Sequence, residues 1–220
     1  MHIPDGFLAP QTYLPAWGLA AAAWWLAARG LRHRFDEETI PRLAVLTALA
    51  YGLGLVMLPL PGGTSGHALG VAPLALIFGV GPAFLAYSLV LLLQALLFGA
   101  GGITALGVNA LAMGLAGSAA AVAVKRLAGR HEAAGVCLGA WLSVVVPAVL
   151  LALVLGIQPD LGRRDDGTPL FFPFGLEITL PAVVIPHLLI GIAEAVLTLA
   201  IWRHARRRKW LPRRLPRRLP

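Results

Sequence analysis

From Ala133 to Ile157 the chain runs 25 residues without a charged side chain. A helix of that length rises about 37 Å, enough to cross the roughly 30 Å hydrocarbon core of a bilayer. Backbone N–H and C=O groups find no water there, so such a segment has to be helical. Comparable apolar stretches fill 14–28, 41–58, 106–124 and 179–202. Residues 68–98 are too long for one span and short for two, and GVGP (79–82) breaks them. They read as a short third helix and a longer fourth, and GAGGITALG (99–107) follows as a second glycine-rich break. The sequence therefore predicts an all-α, polytopic membrane protein with seven transmembrane helices, forming a single domain over 1–203. A basic tail, 204–220, with RRLP repeated, completes the chain. Only 13% of residues are charged, about half of what a soluble domain carries. The lone Cys137 lies in an apolar run, so no disulfide framework exists and the residue reads as core packing.

The net charge of +8 suggests nucleic acid at first sight, but the placement of the charges argues against that. With seven spans the two ends lie on opposite sides of the membrane. An external N-terminus puts sixteen of the eighteen Lys and Arg residues inside, around Arg29–Arg42, Lys125–Arg130 and Arg203–Arg218. Only Arg163 and Arg164 remain outside, beside Asp165 and Asp166. The positive-inside rule then predicts an external N-terminus and a cytoplasmic C-terminus. The tail reads as a solvated or headgroup-bound end. Residues 1–13 carry no Lys or Arg, so they do not read as a secretory leader. His2 is not small, so Met1 is expected to be retained.

A free N-terminus followed by histidine has specific chemistry. The α-amine of Met1, the backbone nitrogen of His2 and its imidazole Nδ1 close two fused chelate rings in one plane. A fourth nitrogen completes a square-planar site of the kind that suits Ni(II) or Cu(II), and imidazole also suits cobalt. The amine titrates near about 8, so a metal displaces its proton near neutral pH. His67, in LPLPGGTSGHALG (58–70), shares the predicted outer side and is a candidate fourth donor.

MHIPDGFL at the start resembles the substrate-binding S-component of energy-coupling-factor transporters for cobalt and nickel, the CbiM/NikM type. So do LPLPGGTSGHALG, QALLFGAGGITALGVNALAMG (94–114) and PHLLIGIAEAVLT (186–198), in order over nearly the whole chain except the tail. The resemblance implies an S-component-like fold of seven helices with the N-terminal segment tucked into the bundle. It implies a transported Co2+ or Ni2+ held by Met1, His2 and His67, and no bound cofactor. Import then depends on a separate transmembrane coupling subunit, on cytoplasmic ATPases and, in some systems, on a small accessory membrane subunit. The chain carries no GxxxxGK[ST] phosphate loop of its own. Cobalt and nickel are not separable by donor chemistry; PDGFL is slightly closer to the cobalt branch that supplies cobalamin synthesis.

Several polar residues are expected to support this site. Asn109 reads either as a partner for the second nitrogen of a liganding histidine or as a helix-packing residue. Pro4, Asp5 and Gly6 read as a turn aiming the N-terminus inward, with Asp5 capping the turn or lining the entry. Thr64 and Ser65 are assigned to the loop that carries His67. His187 and Glu194, seven apart on one helical face, read as a structural pair, and Gln94 as a hydrogen bond between helices. The small residues of Gly18–Ala23 and Gly114–Ala121 read as close helix packing, or as a mating face for a coupling subunit. GTSG (63–66) also fits the nucleophile pattern of rhomboid-type intramembrane serine proteases, with Ser65 and His187 as the dyad. A third reading is an assembly protein without substrate. Ser65 follows PLPGG in an outer turn, and neither rival accounts for MHIPDGFL.

Overall fold

The computed structural model describes residues 2–31, 37–60 and 64–211. Helices dominate it: α1 (Pro10–Leu31), α2 (Thr39–Leu55), α3 (Val71–Phe78), α4 (Val80–Phe98), α5 (Leu106–Leu127), α6 (Glu132–Gly156) and α7 (Leu176–Arg207). Among the described residues four apolar segments are long enough to cross a bilayer: α4, α5, α6 with the short turn that follows it, and α7. The large aliphatic side chains they leave exposed, such as Leu96, Leu97, Leu189 and Val196, are what a lipid-facing surface requires.

The glycine-rich break at Gly79 separates α3 from α4 as expected, and Gly79 takes a positive φ of 93° there. α3 is short and almost wholly buried. It lies inside the bundle rather than crossing it. α5 is continuous in the chain but widens to π-helical turns over Ala110–Ala116. The widening begins at the residue after Asn109, and π-turns commonly mark functional positions. The small-residue run in α5 does pack closely: a Cβ on Gly117 would come within 2.8 Å of the Ser143 carbonyl on α6.

Three features depart from the sequence reading. The Pro–Gly turn before His67 is a two-stranded antiparallel hairpin, β1 (Leu58–Leu60) with β2 (Thr64–Gly66), so the chain is not purely helical. α7 continues through Arg207, past the helix end predicted at 202. Its C-terminal end is tied to α6, where Glu132 accepts from Trp202 Nε1 at 3.2 Å and pairs with Arg206. Cys137 is half-buried on α6, beside a cleft between α6 and α7, instead of in the core.

The N-terminal segment is not a loose end. Ile3 is fully buried, and Leu8 and Ala9 join the core. Ala9 N–H donates to Gln158 Oε1 at 2.9 Å, which satisfies one of the open amides at the start of α1. Phe172 N–H donates to the Phe7 carbonyl at 3.2 Å, and the two rings lie 5.3 Å apart. The aromatic loop before α7 is thereby packed on the N-terminal segment.

Candidate metal centre

His2 and His67 meet inside the bundle. They are 6% and 1% exposed. Their rings stack with centroids 4.5 Å apart, and His67 Nε2 stands 3.2 Å from His2 Nδ1. His67 Nδ1 lies 2.9 Å from the Ala68 carbonyl. A carbonyl only accepts, so Nδ1 carries the proton and Nε2 presents its lone pair. His2 Nδ1–H is then the donor between the rings. Burial pushes the His67 imidazole down to about 3, and burial together with the neighbouring His67 pushes His2 well below the usual range. Both rings are neutral at physiological pH, with nitrogens facing each other.

That spacing suits a shared first-row metal. With metal–imidazole bonds of about 2.0–2.1 Å, two nitrogens 3.2 Å apart subtend about 100° at the metal. Among the described residues no third His, Cys, Asp or Glu joins the pair. Met1 lies outside the described residues.

The N-terminal segment is held on this position by the loop before α5 and the first turn of that helix. Asn109 donates from Nδ2 to the Ile3 carbonyl and accepts the Ile3 N–H on Oδ1, each at 3.1 Å. Its side chain thus mimics a strand partner for one residue of backbone. It does not reach an imidazole nitrogen, as one of the two sequence readings had it. Gly102 N–H adds a bond to the Ile3 carbonyl at 2.9 Å. Asp5 accepts from Ile103 N–H at 3.1 Å, from Thr104 N–H at 2.8 Å and from the Thr104 hydroxyl at 2.5 Å. Partial burial works to raise the Asp5 carboxyl, but these hydrogen bonds outweigh it and hold the group below its usual value. Asp5 therefore ties the N-terminal turn to the α5 entrance instead of capping its own turn.

Glycine is needed at two points of this cradle. Gly101 has φ +91°, and a Cβ there would meet the His2 side chain at 3.2 Å. A Cβ on Gly102 would lie 2.4 Å from the Asp5 backbone nitrogen. The second glycine-rich break is thus a seat for the N-terminus as well as a helix terminator.

Other predicted residues fall out as follows. Thr64 and Ser65 lie in β2, paired with Leu60 and Pro59. His187 and Glu194 do not pair with each other. His187 Nδ1 bonds the Val183 carbonyl at 2.6 Å, and Glu194 accepts from Leu69 and Gly70 N–H at 2.9 and 2.8 Å. Seven residues on one helical face put the two about 10 Å apart along the axis, beyond hydrogen-bond reach. Gln94, read as a bond between helices, does donate to the Tyr51 carbonyl on α2 at 3.4 Å. It also stands beside the His2 ring, and its Oε1 and His2 Nε2 are both buried without a hydrogen-bond partner. The signal for Gln94, Glu194 and Thr104 was present as polar residues amid apolar helices and breaks. Their partners were not visible.

The clamp on Ile3 can be tested directly. Asn109→Leu leaves the buried N–H of Ile3 without its acceptor and removes one of two donors to its carbonyl, at about 1–3 kcal/mol for an unpaired buried group. Amide deuterium exchange of residues 2–9 should rise by at least about ten-fold, while α6 and α7 stay protected. Unchanged exchange in 2–9 would show that packing of Ile3 alone docks the segment.

The apolar helical bundle thus holds two imidazoles facing each other beside a docked N-terminal segment. Residues 2–211 match the family model described as CbiM, cobalt uptake substrate-specific transmembrane region, and the chain belongs to that family. It is 40% identical over 212 residues to the probable fused nickel transport protein LarMN of Lactiplantibacillus plantarum, covering 94% of this chain and 65% of that protein. It is 35% identical over 227 residues to the fused nickel transport protein NikMN of Rhodobacter capsulatus, covering 98% of this chain and 65% of that one. The chain thus spans just under two thirds of the length of these fused relatives. The crystal structure of a truncated transition metal transporter superposes with a TM-score of 0.90 at 34% identity, covering 94% of this chain and 99% of that one. The protein is a multi-pass component of the prokaryotic plasma membrane.

Proposed function

We propose that this chain is the substrate-specific subunit of an ATP-driven energy-coupling-factor importer for a divalent cobalt or nickel ion. The observation that carries the reading is the 3.2 Å approach of His67 Nε2 to His2 Nδ1 in a buried, neutral setting. The metal takes the place of the proton between the two rings, and that proton moves from His2 Nδ1 to Nε2, so the imidazole stays neutral. The α-amine of Met1 and the backbone nitrogen of His2 supply the remaining donors of a square-planar set. Proton release makes binding stronger as pH rises through the range where the amine titrates, near about 8. The docked N-terminal segment, seated by Asn109, Asp5 and Gly102, supports this reading because it fixes the donors before metal arrives. A preorganised site loses little of its binding energy to ordering.

The chain has no phosphate loop, and the reading assigns the work of import to partners: a transmembrane coupling subunit and cytoplasmic ATPases, joined in some systems by a small accessory membrane subunit. The fused names of the relatives are consistent with a metal-binding part that acts with further parts. PDGFL inclines to cobalt and the names of those relatives to nickel, so the substrate class is stated as the two ions together. The protease reading of Ser65 and His187 gives way to the family relationship.

The test is titration of purified protein with a native N-terminus. Cobalt(II) and nickel(II) should each raise its melting temperature in a concentration-dependent way, as a ligand of the native state alone does. Magnesium should not. No shift with either transition metal would end this reading.

Orientation is open to a separate test. A cysteine replacing Thr168 should react with an impermeant thiol reagent on whole cells, and one inserted after Lys209 should react only after lysis. The reverse pattern would put the metal site's entrance on the cytoplasmic side.

A further inference from the structure

Glu194 is fully buried in the middle of α7, a costly place for a carboxylate. Both of its oxygens are used: Oε2 accepts from Leu69 N–H at 2.9 Å and Oε1 from Gly70 N–H at 2.8 Å. These amides follow His67 by two and three residues and precede α3. Gly70 takes φ +68°, and its α-carbon lies against α2 so closely that a Cβ would come within 2.8 Å of Ala50 Cα. The backbone that carries His67 is therefore pinned from two sides, by α2 through contact and by α7 through a carboxylate.

His2 is held from elsewhere. Asn109 and Gly102 bond Ile3, and Ile103 and Thr104 bond Asp5. All four belong to the entrance and first turn of α5. The two imidazoles thus sit on separate mounts, one fastened to α7 and one to α5. Among the described residues no hydrogen bond of one mount reaches the other; the rings stack with centroids 4.5 Å apart and approach at the 3.2 Å contact.

We propose that Glu194 is the positioning residue for His67, and that retention of the metal depends on its hold on the Leu69 and Gly70 amides. The proposal rests on the reading of His2 and His67 as metal ligands.

Glu194→Gln keeps the size of the side chain but offers one acceptor and turns an amino group toward the second N–H. In the metal-free protein, deuterium exchange at residues 67–70 should rise by about ten-fold or more, with residues 2–5 unchanged. With Ni2+ as the probe, dissociation should speed up by about ten-fold or more, the usual effect of losing a support behind a metal ligand. If Glu194→Gln yields no folded protein, Glu194→Asp is read in its place, since it keeps the charge but is one methylene too short to reach both amides. Unchanged exchange at 67–70 together with unchanged nickel dissociation overturns the proposal. So does a rise in exchange spread evenly over α3 and α7, which marks general loss of structure. If the unaltered protein binds neither nickel nor cobalt, the ligand reading fails, and the exchange at 67–70 still decides the role of Glu194.

Discussion

Adding one residue before Met1, or acetylating its amine, should lower affinity for cobalt and nickel by two orders of magnitude or more, about 2.7 kcal/mol. The proposed chelate begins at the α-amine. An extra residue converts that amine to an amide nitrogen and removes the strongest flexible donor of the set. The segment cannot compensate by sliding one residue along its seat. Ile3 is held at both its N–H and its C=O by Asn109, and Asp5 is fixed by the α5 entrance. His2→Ala keeps the amine and removes the imidazole, so it should cost a different part of the same site. Because the donors share one chelate, the extension and His2→Ala together should be little worse than either alone. The measurement is calorimetric titration of one preparation, before and after proteolytic removal of the extra residue. Equal affinity before and after would show that the opening histidine serves some purpose other than chelation.

Much of the fold was legible because a bilayer permits so few solutions. Apolar length predicted each long helix, and the two glycine-rich breaks fell where the chain turns, with Gly79 and Gly99 in positive-φ conformations at the ends of α3 and α4. Helix ends were less legible: α1 begins at Pro10 and α7 runs to Arg207, because neighbours such as Gln158 and Glu132 satisfy the extra turns. The short hairpin before His67 gave no strand pattern, since Leu58–Leu60 and Thr64–Gly66 are too brief to alternate visibly. At the site, the sequence singled out His2, His67, Asn109 and Asp5, and the structure brings all four to one end of α5. What it did not show was who holds whom. Asn109 grips backbone where one reading gave it a histidine, and Glu194 grips a loop where a partner on its own helix was expected. Such choices depend on which segments meet in three dimensions, and spacing along one helix says nothing of the segment opposite.

His67→Ala should weaken metal binding by at least ten-fold, about 1.4 kcal/mol or more, while the protein stays folded. The ring places an imidazole nitrogen 3.2 Å from His2 Nδ1, and no other His, Cys, Asp or Glu among the described residues stands ready to replace it. Ser65→Ala is the matched control. Ser65 pairs through its backbone with Pro59 in the hairpin, so that pairing survives the change and affinity should be unaltered. The same substitution has a second signature in the metal-free protein. Burial lowers the His67 imidazole from 6.5 to about 3. A depressed histidine favours the folded state fully only above its unfolded value, because below that the unfolded chain binds a proton the folded one refuses. Stability should therefore fall as pH drops from about 6.5 toward 3, and this acid loss should be shallower in His67→Ala, although His2 contributes a similar loss of its own. Urea melts at pH 7 and pH 5 read that difference. If His67→Ala binds metal as tightly as the unaltered chain, the fourth donor lies elsewhere. If its acid profile is also unchanged, the imidazole is not held neutral in the bundle.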